Sequence, residues 1–123
     1  MTQEEKDLLI KDLCARLPYG VKIELTRWVM NEGMCMNTTL EPNHINQLLN
    51  DEDGDVEIKP YLFPLSSITK EQEDEYQYIT ERWMYDSSYS ISDSIDWLNK
   101  NHFDYRDLIK KRLAINAIGL NMY

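Results

Sequence analysis

Between Leu17 and Val21 the spacing of apolar residues changes from helical to alternating. Leu9, Leu13 and Leu17 recur every four residues, with Leu8 beside them, which places them on one helical face. Thr2 followed by Glu5 is a capping-box pattern, and Arg16 stands where a cation favours the helix dipole. Pro18 and Gly20 end the element, so a helix is expected over Gln3–Leu17. Val21, Ile23 and Leu25 then alternate with Lys22, Glu24 and Thr26, the period of a half-buried strand. A chain that makes this switch once and later returns to helical spacing segregates its strands from its helices. That order belongs to an α+β domain rather than a doubly wound sheet.

The strand extends through Trp28, Val29 and Met30, and Asn31-Glu32-Gly33 is a turn signal. Met34, Met36, Thr38 and Leu40 share one face of a return strand, which makes a hairpin that ends at Pro42-Asn43. Ile45, Leu48 and Leu49 fit a short helix or a strand equally well. The run Asp51-Glu52-Asp53-Gly54-Asp55 reads as a solvated turn, and Val56 and Ile58 as a third strand. Pro60 and Pro64 exclude a central strand and a helix, leaving an extended crossover around Tyr61, Leu62, Phe63 and Leu65. Thr69 and Gln72 form a second capping box, opening a helix over 70–85 with Tyr76, Ile79 and Trp83 on its buried face. Ser90 or Ser92 caps a third helix that turns Ile95 and Leu98 inward with Trp97 alongside. Asp104 caps a fourth, with Leu108, Ile109 and Leu113 as its apolar set. The tail from Ala114 to Tyr123 is apolar enough to pack on the rest. The expected architecture is therefore a single domain over 1–123. It is a small antiparallel sheet or partial barrel of about three strands, preceded by one helix and followed by three.

The charge balance restricts function. Twenty-two acidic residues stand against 13 basic ones, a net charge of −9. Phosphate contacts need a positive face, so direct nucleic-acid binding and docking on anionic lipid are not expected. A protein partner with a basic surface is compatible with this charge. The opening MTQEEKDLL is polar and acidic, unlike a signal peptide, and no apolar run is long enough to span a bilayer. A reducing bacterial cytoplasm is the expected setting. Cys14 and Cys35 lie among apolar residues with no Cys or His at ligand spacing, and are expected to be buried free thiols.

No catalytic, metal or cofactor site emerges from the residues. An EF-hand loop beginning at Asp51 would need its Gly sixth and a Glu twelfth; here Gly54 is fourth and Leu62 twelfth. His102-Phe103-Asp104 reads as a turn, with Asp104 capping and Phe103 plugging the core, in preference to an acid–base pair. His44 falls in an expected loop without an evident partner. The four glycines form no phosphate-binding loop. Arg106, Lys110, Lys111 and Arg112 lie on the fourth helix, and the last three are accounted for by its C-terminal end, so they make only a small basic patch against a net charge of −9.

The aromatic residues carry the binding expectation. There are eight Tyr and three Trp but only two Phe. Tyr78 and Tyr85 lie seven apart, opposite the face that holds Tyr76, and Tyr89 follows. A helix with apolar residues on two faces lies deep or has a partner, and Tyr is enriched at interface hot spots. Candidate binding residues are therefore Tyr78, Tyr85 and Tyr89, with Asp51, Asp53 and Asp55 as electrostatic contacts.

Three blocks point to a family. KDLCARLPYGV (Lys11–Val21), IKPYLFPLSSIT (Ile58–Thr69) and NKNHFDYRDLIKKRLAINA with its tail (Asn99–Tyr123) cover about half the chain. Together they resemble a family of uncharacterised small proteins of gut bacteria and their phages and mobile elements. That family usually has Gly after DYR, where this chain has Asp107, and is less basic around Lys111 and Arg112. The stretch from Lys22 to Glu57 matches no such pattern. The resemblance implies a phage or mobile-element setting and no activity. The expected function is a non-enzymatic protein-binding module, one form of which is an acidic inhibitor of host defence or nucleic-acid-handling machinery. The alternatives are a small structural or virion component and an enzyme built on scattered carboxylates and His102.

Overall fold

A computed structural model describes residues 1–82 and 91–123. The expected first helix forms as α1 (Gln3–Arg16), opened by the capping box: the Thr2 hydroxyl accepts from Glu5 N at 3.1 Å, and the Glu5 carboxylate accepts from Thr2 N at 3.0 Å. Gly20, at φ +67, turns the chain out of a short 3-10 segment into β1 (Lys22–Val29). β1 and β2 (Glu32–Thr39) form the expected antiparallel hairpin with an unbroken register from Lys22–Thr39 to Val29–Glu32. Its turn is tighter than the Asn-Glu-Gly signal suggested. Met30 and Asn31 make the loop alone, both with positive φ, the conformation of a type I′ turn.

The ambiguous segment after the hairpin is α2 (Pro42–Leu49), with proline in its first turn where the missing N–H has no partner to lose. His44 is not in a loop. It is buried in α2, and its Nδ1 accepts the Glu41 backbone N–H at 3.0 Å.

The largest correction is β3 (Val56–Pro64), which runs through both prolines and lies in the middle of the sheet. It pairs antiparallel with β1 from Val56 to Pro60, and parallel with two short strands, β4 (Phe103–Asp104) and β5 (Ile115–Asn116). Pro60 stands opposite Ile23, and Ile23 is hydrogen-bonded towards β2 in the alternation set by the two-residue loop. The N–H that proline lacks would therefore not have bonded to β1. Pro64 sits at the strand end. The sheet order β2-β1-β3-β4, with β5 also on β3, is mixed rather than purely antiparallel.

α3 (Lys70–Arg82) and α4 (Ile91–Lys100) follow. The expected fourth helix does not form. Both Asp104 carboxylate oxygens accept backbone N–H groups, from Leu108 at 3.0 Å and Ile109 at 2.9 Å, and the chain continues as turns. Asp107 and Arg112 have φ near +60, which interrupts helical geometry. Asp107 thus holds a conformation that glycine favours.

The main core lies between α1, α2 and one face of the sheet, with Leu9, Leu13, Ile23, Leu25, Leu48, Ile58, Leu62 and Leu108 almost fully buried. A second cluster joins Trp97, Leu98 and Phe103 to Tyr76 and Ile79 of α3, Trp97 stacking on Phe103 at 5.7 Å. Leu98 and Trp97 turn inward as expected, but Ile95 is exposed. α3 has no fully buried residue and lies at the periphery, which removes the argument that it runs deep. No described helix is long and apolar enough to cross a membrane.

Candidate functional site

Among the described residues the expected site residues fall on two elements, Tyr78 on α3 and Asp51, Asp53 and Asp55 in the turn before β3. Tyr78 is exposed on α3, with the Arg82 guanidinium 4.7 Å over its ring one turn later. Tyr85 and Tyr89 lie outside the described residues. Asp51 is a structural residue: its carboxylate accepts Asp55 N and Val56 N, both at 3.0 Å, and so closes the acidic turn. Asp53 and Asp55 are exposed, and the Asp55 carbonyl accepts Trp28 N at 2.8 Å. The turn is thus tied to the β1–β2 hairpin.

That hairpin holds the most concentrated exposed apolar surface among the described residues. Trp28, Val29, Met30, Met34 and Met36 are all exposed, Met30 at 94%. The alternation in the sequence gives the hairpin and the shared face of Met34 and Met36, but not that this face is left exposed. Element lengths explain the difference. Eight strand residues span about 26 Å, whereas the eight residues of α2 span about 12 Å. Arg27 of β1 reaches Gln47 of α2, its Nη2 donating at 2.7 Å. Beyond that contact, Val29, Met34 and Met36 continue the core face of Leu25 with nothing described above them. Leu25, Arg27, Val29, Met34, Cys35 and Met36 line a shallow groove of about 310 Å³ there. On the opposite face the Trp28 ring lies across Gly33, where an added Cβ would come within 2.9 Å of it.

The loop adds local strain to this exposure. A non-glycine residue in left-handed conformation costs roughly 1–2 kcal/mol, less for Asn, and Met30 has φ +51. Replacing the loop by the favoured pair, Met30→Asn with Asn31→Gly, should raise stability by about 1 kcal/mol, or about 4 °C in Tm. Thermal unfolding checks this; an unchanged or lowered Tm would show that the loop is unstrained. Strain and apolar exposure together at one tip mark a position where stability is not the property being optimised.

Other expectations are corrected or resolved. Cys14 and Cys35 are exposed, not buried; Cys35 Sγ lies 3.1 Å from Thr26 Oγ1. Asp104 serves the backbone and does not orient His102. The His102 ring stacks instead on Tyr123 at 3.8 Å, and the Tyr123 hydroxyl accepts Lys22 N and donates to the Tyr61 carbonyl. Burial pushes that phenol up to about 12. No group of three or more His, Cys, Asp or Glu able to hold a metal ion occurs among the described residues. The larger cleft, about 540 Å³, lies between the start of α1, the acidic turn and Lys111–Leu113. Its walls mix Lys6, Lys59, Lys111 and Arg112 with Glu5, Asp51, Glu52 and Glu57, and several of these are already engaged. Such a mixture selects no ligand charge.

Comparison of the chain with family models, curated proteins and solved structures gives no match.

Proposed function

We propose that this protein is a protein-binding module whose contact surface is the β1–β2 hairpin, in the cytoplasm of a bacterial host and in a phage or mobile-element setting. The observation that carries the reading is the apolar groove of Val29, Met34 and Met36 beyond the reach of α2, continued by the exposed tip at Met30. Contiguous exposed apolar surface is characteristic of interaction sites. Methionine suits such a surface because it is flexible and polarizable. Asp53 and Asp55 are exposed in the turn that the Asp55 carbonyl ties to Trp28 N, and this acidic turn favours a partner with a basic rim. An acidic inhibitor of host nucleic-acid-handling machinery is one form this module takes; a small assembly component is the alternative, favoured by the open strand edge of the same hairpin.

A pulldown from host lysate compares the wild-type chain with Met34→Lys plus Met36→Lys and with Tyr78→Ala. The hairpin variant is expected to lose the captured protein and the helix variant to keep it. The reverse pattern would move the surface to α3, and capture of nothing at any salt concentration would remove the module reading.

A further inference from the structure

The apolar groove accounts for one face of the hairpin, and its outer edge is a separate feature. Among the described residues β2 pairs with β1 alone and ends the sheet. The two-residue loop makes Val29–Glu32 a hydrogen-bonded pair, and the alternation continues to the bond from Leu40 N to the Val21 carbonyl. Glu32, Met34, Met36 and Thr38 are therefore bonded towards β1. The N–H and C=O groups of Gly33, Cys35 and Asn37 point outward, in line for another strand.

Exposed edges are ordinarily blunted by lysine, proline, a bulge or shortness. β2 has none of these: it is eight residues long, its register is unbroken, and it contains neither Lys nor Pro. We infer that β2 pairs antiparallel with β2 of a second copy of this chain, across a two-fold axis at Cys35. The inference rests on the hairpin being the contact surface and names what takes its edge.

Charge and register select a second copy. Two chains of net charge −9 repel unless they meet where neither presents charge. Residues 33–39, Gly-Met-Cys-Met-Asn-Thr-Thr, contain no acidic or basic side chain. In a two-fold antiparallel pair, facing positions have a constant sum. With Cys35 opposite itself, Met34 faces the partner's Met36 and Met36 faces the partner's Met34, both on the groove side. Gly33 faces the partner's Asn37 with their outward groups bonded, and Glu32 faces the partner's Thr38. No like charges oppose each other. Shifting the axis to Met34 sets Glu32 against Met36, and shifting it to Met36 leaves one methionine pair instead of two. The favoured pairing is isologous and closes at two copies. It also joins the two apolar grooves into one surface, so it adds to the module's contact area.

Sedimentation equilibrium of the full chain, from low micromolar to several hundred micromolar, is expected to give twice the chain mass of 14.6 kDa at the upper end. Met34→Lys plus Met36→Lys should raise the dissociation constant at least tenfold, while far-ultraviolet circular dichroism stays unchanged. Directly opposed residues in a hydrogen-bonded antiparallel pair have Cα atoms about 5.5 Å apart, within disulfide range. Mild oxidation of a Cys14→Ser chain should therefore give a covalent dimer through Cys35. A chain monomeric throughout overturns the pairing, as does a dimer that neither depends on Met34 and Met36 nor cross-links at Cys35. These outcomes are separate from the lysate pulldown: a monomer whose hairpin variant still loses its captured protein leaves the module reading standing.

Discussion

Replacing Asp12 by Ala is expected to remove about 3–5 kcal/mol of stability, the effect of leaving a buried charge unpaired. Asp12 and Arg16 are fully buried on α1, four residues apart, with Arg16 Nε donating to Asp12 Oδ2 at 2.8 Å. The other Asp12 oxygen accepts from Arg106 Nη1 at 2.7 Å. Arg16 Nη2 donates to the Phe103 carbonyl at 2.7 Å, and its guanidinium lies 5.2 Å from the Tyr105 ring centroid. Tyr105 in turn donates to Asn99 Oδ1 at 2.8 Å. One carboxylate thus offsets two guanidinium groups that fasten the 103–106 segment to α1. Without it, Arg16 has no route to water. For a domain whose whole stability is of order 5–15 kcal/mol, the loss amounts to roughly 10–20 °C in Tm. Urea unfolding checks it, and a loss under about 1 kcal/mol would show that the pair is not sealed from solvent. The double replacement Asp12→Leu with Arg16→Met should be much milder, because apolar side chains of similar size carry no desolvation penalty.

This network also shows what the sequence does and does not disclose. Residues far apart in the chain meet in it, Asp12 and Arg16 with Asn99, Phe103, Tyr105 and Arg106. Asp12, Asn99 and Tyr105 carried no local signal of a role; Arg16 was legible alone as a helix-end cation and Phe103 as a core plug. Their convergence was not, because it depends on β4 coming to lie beside β3, a contact across some 40 residues that no local period encodes. Local signals served well where local physics decides: the Thr2 capping box, the stop at Pro18 and Gly20, and the alternation from Val21. They failed where tertiary pairing overrides propensity, as at Pro60, whose position opposite Ile23 turns the missing N–H away from β1, and at 105–112, where Asp104 holds a turn in place of a helix. The hairpin is the instructive case for the site. The alternation of Met34, Met36 and Thr38 gave its faces correctly. That α2 is too short to cover them is a matter of relative lengths in space, so the exposure of the methionines could not be read from their alternation.

Acid should destabilise this protein through His102 in particular. Its ring is partly buried, and burial first and the nearby Arg16 guanidinium second lower its pKa from 6.5 to about 4. Its Nδ1 is buried without a hydrogen-bond partner among the described residues, so that nitrogen offers a proton no acceptor. In the folded chain His102 stays neutral at pH 5, while in the unfolded chain it takes up a proton below about 6.5. The unfolded state binds more protons between these two values, so stability rises with pH across that window. The contribution is present in full above about pH 6.5 and is lost progressively as pH falls towards 4. Allowing for solvent screening at a partly exposed ring, the loss is about 2 kcal/mol. His102→Asn isolates it, because Asn tolerates the left-handed backbone that His102 adopts at φ +63. Denaturant unfolding of both chains at pH 7 and pH 4.5 should show the wild type losing about 2 kcal/mol more than the variant, the carboxylates common to both cancelling in the difference. Parallel curves would mean that the ring reaches water when charged, and an NMR titration midpoint for His102 near 6.5 would say the same. A midpoint near 4 would place the imidazole under the Tyr123 ring, with Arg16 close enough to oppose a second positive charge.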